Sequence, residues 1–175
     1  MEQGLIHVYC GDGKGKTTCA AGLAVRCSGA GGKVLWVQFL KGDISGERRS
    51  LEKLENIMLL PGYENIKFTF KMTPEEKAAA KEFYKKQFAY IKQIVSAEEF
   101  DLLVLDEAVG AISSGMLSEE DIIDFLKEKK HGLEVVLTGR EPSEKLLALA
   151  DYVTEMKKLK HPFDKGISAR RKIEW

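Results

Sequence analysis

The chain has 175 residues, 44% of them hydrophobic, which fits one domain (1–175) with enough apolar material for a full core. Its 27 basic side chains balance 27 acidic ones, so no overall field favours a polyanion and no nucleic-acid partner is expected. Three cysteines without a CxxC pair give neither a zinc site nor a disulfide framework; with no apolar leader and no run of about 18 apolar residues, the chain reads as soluble, cytoplasmic and clear of membranes.

Leu5 to Tyr9 predicts a buried strand, and Thr17 to Cys27, rich in Ala, Leu and Val, a helix. Between them runs Cys10-Gly11-Asp12-Gly13-Lys14-Gly15-Lys16-Thr17-Thr18, with the spacing of a phosphate-binding loop. A Gly-rich turn there can aim backbone N–H groups and the positive end of the helix dipole at a polyphosphate. Lys16 would neutralise phosphate oxygens, and Thr17 would offer its hydroxyl to a phosphate-bound Mg2+. Cys10 replaces the first Gly of G-x-x-x-x-G-K-[ST], a loss offset in part by Gly11 and Gly13. Gly-rich turns also join strands to helices in folds that bind nothing, but that reading leaves Lys16 and Thr17 unexplained.

Lys33 to Phe39 is a second strand, entered through a helix C-cap and turn at Gly29-Ala30-Gly31-Gly32. Thr73-Pro74-Glu75-Glu76 opens a long helix with a capping box, and Ala80, Tyr84, Phe88, Ile91 and Val95 mark its buried face. Leu102 to Asp106 is a strand, Ser118 caps a helix running to Gly132, and Leu133 to Thr138 is another strand. Such alternation predicts a parallel sheet covered by helices; joined to the phosphate-loop motif, it gives the expectation of an α/β fold of the P-loop NTPase, RecA-like kind, mostly parallel with helices on both faces.

Asp106 and Glu107 leave a strand at the edge where ligands of open α/β sheets gather, which makes both candidates for facing Mg2+; the other reading of Asp106 is a helix cap. Arg140, in Thr138-Gly139-Arg140, can bind phosphate bidentately or pair with Glu141 on the surface. The basic tail from Lys157 to Lys172 is either a solvated face or a segment that closes over an anion.

The loop, together with Val37-Gln38-Phe39-Leu40-Lys41-Gly42, Gly46-Glu47-Arg48, Val104-Leu105-Asp106-Glu107, Thr138-Gly139-Arg140, Lys160-His161-Pro162-Phe163-Asp164-Lys165-Gly166 and a short Ile173-Glu174-Trp175 ending, resembles the ATP:corrinoid adenosyltransferases of the bacterial CobA type. The resemblance covers nearly the whole chain, and that family also lacks the first loop Gly. It implies transfer of the 5′-deoxyadenosyl group of ATP to the cobalt of a reduced corrinoid, with release of triphosphate, in adenosylcobalamin synthesis or salvage. ATP is expected in an orientation reversed from other P-loop enzymes, with its 5′ carbon toward Co(I).

By the same resemblance, Gly11, Asp12, Gly13, Lys14, Gly15, Lys16, Thr17, Thr18, Lys41 and Arg140 would bind ATP. Thr17 and Glu107, with Asp106 beside them, would hold Mg2+. Phe68 and Phe70 would form an apolar wall under the corrinoid, where alternate aromatics on a strand face are the other reading. An electron donor such as a reduced flavoprotein and a homodimer are implied too. The competing function is a RecA-like or kinase-type ATPase in nucleic-acid or nucleoside metabolism, and a weaker third is a nucleotide sensor without turnover.

Overall fold

The apolar runs of the chain become strands of one parallel sheet in the computed structural model, which describes residues 3–41, 45–64 and 71–174. The elements run β1 (Ile6–Cys10), α1 (Lys16–Gly29), β2 (Val34–Gln38), α2 (Gly46–Leu51), β3 (Ile57–Leu59), α3 (Pro74–Ala97), β4 (Leu102–Asp106), α4 (Ala108–Ser113), α5 (Glu119–Glu128), β5 (Glu134–Thr138), α6 (Glu144–Leu149) and β6 (Tyr152–Glu155). A short 3₁₀ turn at Pro162–Lys165 follows. The strand order is β3-β2-β4-β5-β1-β6, and every neighbouring pair is parallel. Parallel neighbours need crossover connections, and the helices supply them.

Both faces of the inner strands are covered, so β2, β4 and β5 carry unbroken apolar runs rather than alternating patterns. Val34 and Trp36 of β2 join Val104 of β4 and Val136 of β5 on one face, against Ala20 and Ala24 of α1. Leu35, Val37, Leu105 and Leu137 point the other way, against Tyr84, Phe88 and Ile91 of α3 and Ile122 and Phe125 of α5. Ala20 and Ala24 are fully buried, and their small side chains let α1 lie close to the sheet. The predicted stripe of α3 is buried at all five positions, and Thr73 and Glu76 form the expected capping box. Among the described residues, no helix is long and apolar enough to cross a membrane.

Two departures from the sequence reading have local causes. The helix capped by Ser118 ends at Glu128, not Gly132, because Lys129 turns to extended backbone, its ammonium donates to the Gly4 carbonyl (2.6 Å), and the His131 carbonyl accepts from the Gly4 N–H (2.7 Å). β6 was not legible because all four of its side chains are exposed, which leaves no buried face to write a pattern.

Register positions the site. Pairing sets Gln38 of β2 level with Asp106 of β4, and Tyr9 of β1 level with Thr138 of β5, so the carboxyl ends of four strands open onto one crevice. From α3, Tyr84 reaches the segment after β2: its hydroxyl accepts the Leu40 N–H at 3.1 Å, and its ring packs edge-on to Phe39 at 5.7 Å. Tyr84→Phe leaves that N–H without its acceptor in the interior. It should cost about 1–3 kcal/mol in urea unfolding, and a variant as stable as the parent would show that Tyr84 acts only through its ring.

Candidate functional site

The loop between β1 and α1 is shaped by two close approaches. A Cβ on Gly13 would lie 2.5 Å from the carbonyl oxygen of Met156, just past β6, and one on Gly11 would meet the same atom at 2.5 Å. The Gly13 N–H donates to Met156 (2.6 Å) and the Gly11 N–H to the Arg140 carbonyl (2.8 Å). These glycines therefore serve contact with β6 and β5, and those two N–H groups are engaged within the protein. Position 10 ends a strand, paired with Glu155, and needs no glycine, which is why Cys10 fits there.

At Gly15 the backbone is left-handed (φ 114°), which turns the chain into α1 and leaves the N–H groups of Lys16, Thr17 and Thr18 at a helix start, where no intrahelical acceptor exists. Lys16 folds back over the loop, its ammonium 2.7 Å from each of the Gly11 and Gly13 carbonyls. Burial pulls its pKa below the ordinary lysine value; Glu107 opposes the shift and Arg140 adds to it. A pocket of about 680 Å³ opens above, lined by residues 12–18, Lys41, Glu107, Arg140 and His161.

Asp106 organises the floor of this crevice without lining it. It is fully buried. Its Oδ1 accepts from the hydroxyls of Thr17 (2.9 Å) and Thr138 (2.7 Å), and its Oδ2 from the Gln38 amide (2.8 Å) and the Lys41 ammonium (3.2 Å). The helix-cap reading of Asp106 fails, since the N-cap of α4 is Glu107. Gln38 and Thr138 were missed as supports because each reads in sequence as the polar end of an apolar strand. Gln38 is fixed in turn by Ser45, whose hydroxyl donates to its Oε1 at 3.1 Å.

Glu107 sits in left-handed backbone (φ 61°, ψ 19°), a conformation that costs a non-glycine residue about 1–2 kcal/mol. Its N–H donates to the Thr138 hydroxyl at 2.8 Å, which holds the turn and sends the carboxylate into the pocket. Gly139 makes this corner possible, because a Cβ there would lie 2.4 Å from Cβ of Val109 in α4. Arg140 lines the pocket, whereas Glu141 lines a separate hollow beside Val109 and Leu146.

The basic tail reaches the same place. The Lys158 N–H donates to Asp12 (2.9 Å), Lys14 pairs with Glu174 (3.1 Å), and Lys172, Ile173 and Glu174 line the pocket. Arg170 and Lys14 stabilise the Glu174 carboxylate and hold its pKa down to about 2. Phe68 and Phe70 lie outside the described residues.

The donor set suits a hard divalent cation. Thr17 Oγ1, Asp106 Oδ2 and Glu107 Oε1 already converge on one positive charge, the Lys41 ammonium, at 2.9, 3.2 and 3.7 Å. Among the described residues no cluster of three or more His, Cys, Asp or Glu could hold a metal alone, so an ion here would complete its shell with phosphate oxygens and water.

Known proteins resemble this chain along nearly its whole length. The profile of a family described as ATP:corrinoid adenosyltransferase BtuR/CobO/CobP matches residues 2–175. A corrinoid adenosyltransferase of Escherichia coli strain K12 is 34% identical over 99% of this chain and 87% of its own length. Corrinoid adenosyltransferase CobA of Salmonella typhimurium is 35% identical over 99% and 87%. Among solved structures, a KaiC-like protein of Pyrococcus horikoshii OT3 matches with a TM-score of 0.59 at 18% identity, covering 91% of this chain and 75% of that one, a likeness of fold alone.

Glu107→Gly removes the left-handed penalty at the cost of a partly exposed ion pair. Thermal and urea unfolding should show stability unchanged or raised by about 0.5–1 kcal/mol. A clear loss would mean that the carboxylate, rather than the backbone, holds this corner.

Proposed function

The chain belongs to the ATP:corrinoid adenosyltransferase family, and on that premise we propose that it transfers the 5′-deoxyadenosyl group of ATP to Co(I) of a reduced corrinoid and releases triphosphate. The observation that carries the reading is the gathering of Lys16, Thr17, Glu107 and Arg140 around one pocket at the start of α1. In this reaction the cobalt electron pair forms the bond to C5′, the C5′–O bond breaks, and its pair leaves on triphosphate; cobalt passes from Co(I) to Co(III). Because the acceptor is itself the nucleophile, no protein base is required. The protein's task is to hold and neutralise the leaving group.

The N–H groups at the start of α1, the Lys16 ammonium and Arg140 would bind the triphosphate. Lys16 must first leave the Gly11 and Gly13 carbonyls for phosphate oxygens. Thr17 and Glu107 would hold Mg2+, which when bound supplies further charge neutralisation on the triphosphate. Asp106, enclosed by four donors, serves by fixing the Thr17 hydroxyl. Phe68 and Phe70 are proposed to wall the corrinoid, and a reduced flavoprotein to supply electrons to a homodimer in cobalamin synthesis or salvage.

The products separate this reading from a kinase or ATPase. Incubated with ATP, Mg2+ and chemically reduced cobalamin, the protein should form adenosylated Co(III) and an equal amount of triphosphate on anion exchange, with no ADP. Stoichiometric ADP without adenosylated corrinoid would favour phosphoryl transfer instead. Lys16→Ala should slow the reaction by about 10²–10³ with the fold intact, as loss of one donor to a developing charge does. Near-normal turnover would remove the loop from the mechanism.

A further inference from the structure

Lys41 has an unusual position for a residue that is to bind phosphate. Unlike that of Lys16, its ammonium does not rest on the loop carbonyls; it lies among Thr17 Oγ1 (2.9 Å), Asp106 Oδ2 (3.2 Å) and Glu107 Oε1 (3.7 Å). Burial alone would lower its pKa, but the two carboxylates outweigh that and hold it above the ordinary lysine value. Its backbone is anchored too, since the preceding Leu40 is left-handed (φ 55°) and bonded to Tyr84.

We propose that Lys41 is a tethered stand-in for the divalent cation, occupying the metal's seat before nucleotide binds, and that Mg2+ enters only together with the nucleotide, whose triphosphate gives the displaced ammonium a new partner. This rests on the reading above in which Thr17 and Glu107 hold Mg2+. A metal bound to those oxygens at about 2.0–2.1 Å would share them with an ammonium already within 4 Å of each, and two cations at that separation repel. Free Mg2+ must therefore displace a charge that is covalently attached and so always present at high local concentration. The metal–triphosphate complex faces a smaller barrier, because the ammonium keeps an anionic partner: Lys41 lines the pocket in which the phosphates would lie. The device keeps Asp106 and Glu107 neutralised between turnovers and prevents the metal from settling before its substrate.

Mn2+ binding read by electron paramagnetic resonance, without ATP or corrinoid, tests this apart from activity. The parent should bind Mn2+ weakly, Lys41→Met at least about tenfold more tightly, and Lys41→Met/Glu107→Gln weakly again. Lys41→Met should also melt lower than the parent without metal and recover when Mn2+ is added; Lys41→Gln replaces it if the Met variant does not fold. Lys41→Arg, which keeps the charge, should retain weak binding. If removal of the Lys41 charge leaves Mn2+ affinity unchanged while parent Mn–ATP binding still depends on Glu107, the stand-in role is wrong and the metal seat stands. If parent Mn–ATP binding is indifferent to Glu107→Gln, the seat itself is wrong and this proposal falls with it.

Discussion

The site depends on one buried carboxylate. Asp106 is fully enclosed at the end of a central strand, where an ionised group is costly unless each lone-pair direction finds a donor. Four donors meet it: Gln38 from β2, Thr138 from β5, Thr17 from α1 and Lys41 from the segment after β2. Each is a point at which a different element is tied to β4. The parallel register that sets Gln38 beside Asp106 thus fixes where the helix carrying Thr17 begins.

From that fixed floor the reactive groups rise in a particular order. Asp106 orients Thr17, Thr138 accepts the N–H of Glu107, and Glu107 turns into the pocket through a strained backbone that the Gly139 corner tolerates. Strain of this kind survives only where the surroundings over-determine it. Here the Thr138 hydroxyl does so with two bonds, donating to Asp106 and accepting from Glu107. The positive groups of the pocket already have partners within the protein, Lys16 on the Gly11 and Gly13 carbonyls and Lys41 on Asp106.

The sequence made the loop, the long α3 helix and four of the strands legible, since each carries its own pattern: a phosphate-loop spacing, a capping box before an apolar stripe, or an unbroken apolar run bounded by turns. It also brought Glu107, Thr17 and Lys16 to one edge of the sheet. Less legible was the division of labour between neighbours. Asp106 and Glu107 are adjacent acids, and only the left-handed turn at Glu107 separates a buried organiser from a side chain that faces the pocket. Gln38 gave no signal because its partner lies 68 residues away. The purpose of Gly11 and Gly13 was hidden for the same reason: they make room for Met156, not only for a ligand.

That last contact bears on how the protein is made. The loop lies within the first 18 residues, yet Met156 seats Gly13 and the Lys158 N–H caps Asp12 across 146 positions of sequence. A chain emerging from the ribosome carries the whole loop long before it carries the residues that shape it. Nucleotide affinity should therefore arrive late in synthesis, when β6 adds itself beside β1, and not with the motif that announces it. An unfinished chain would then have little hold on the cell's ATP.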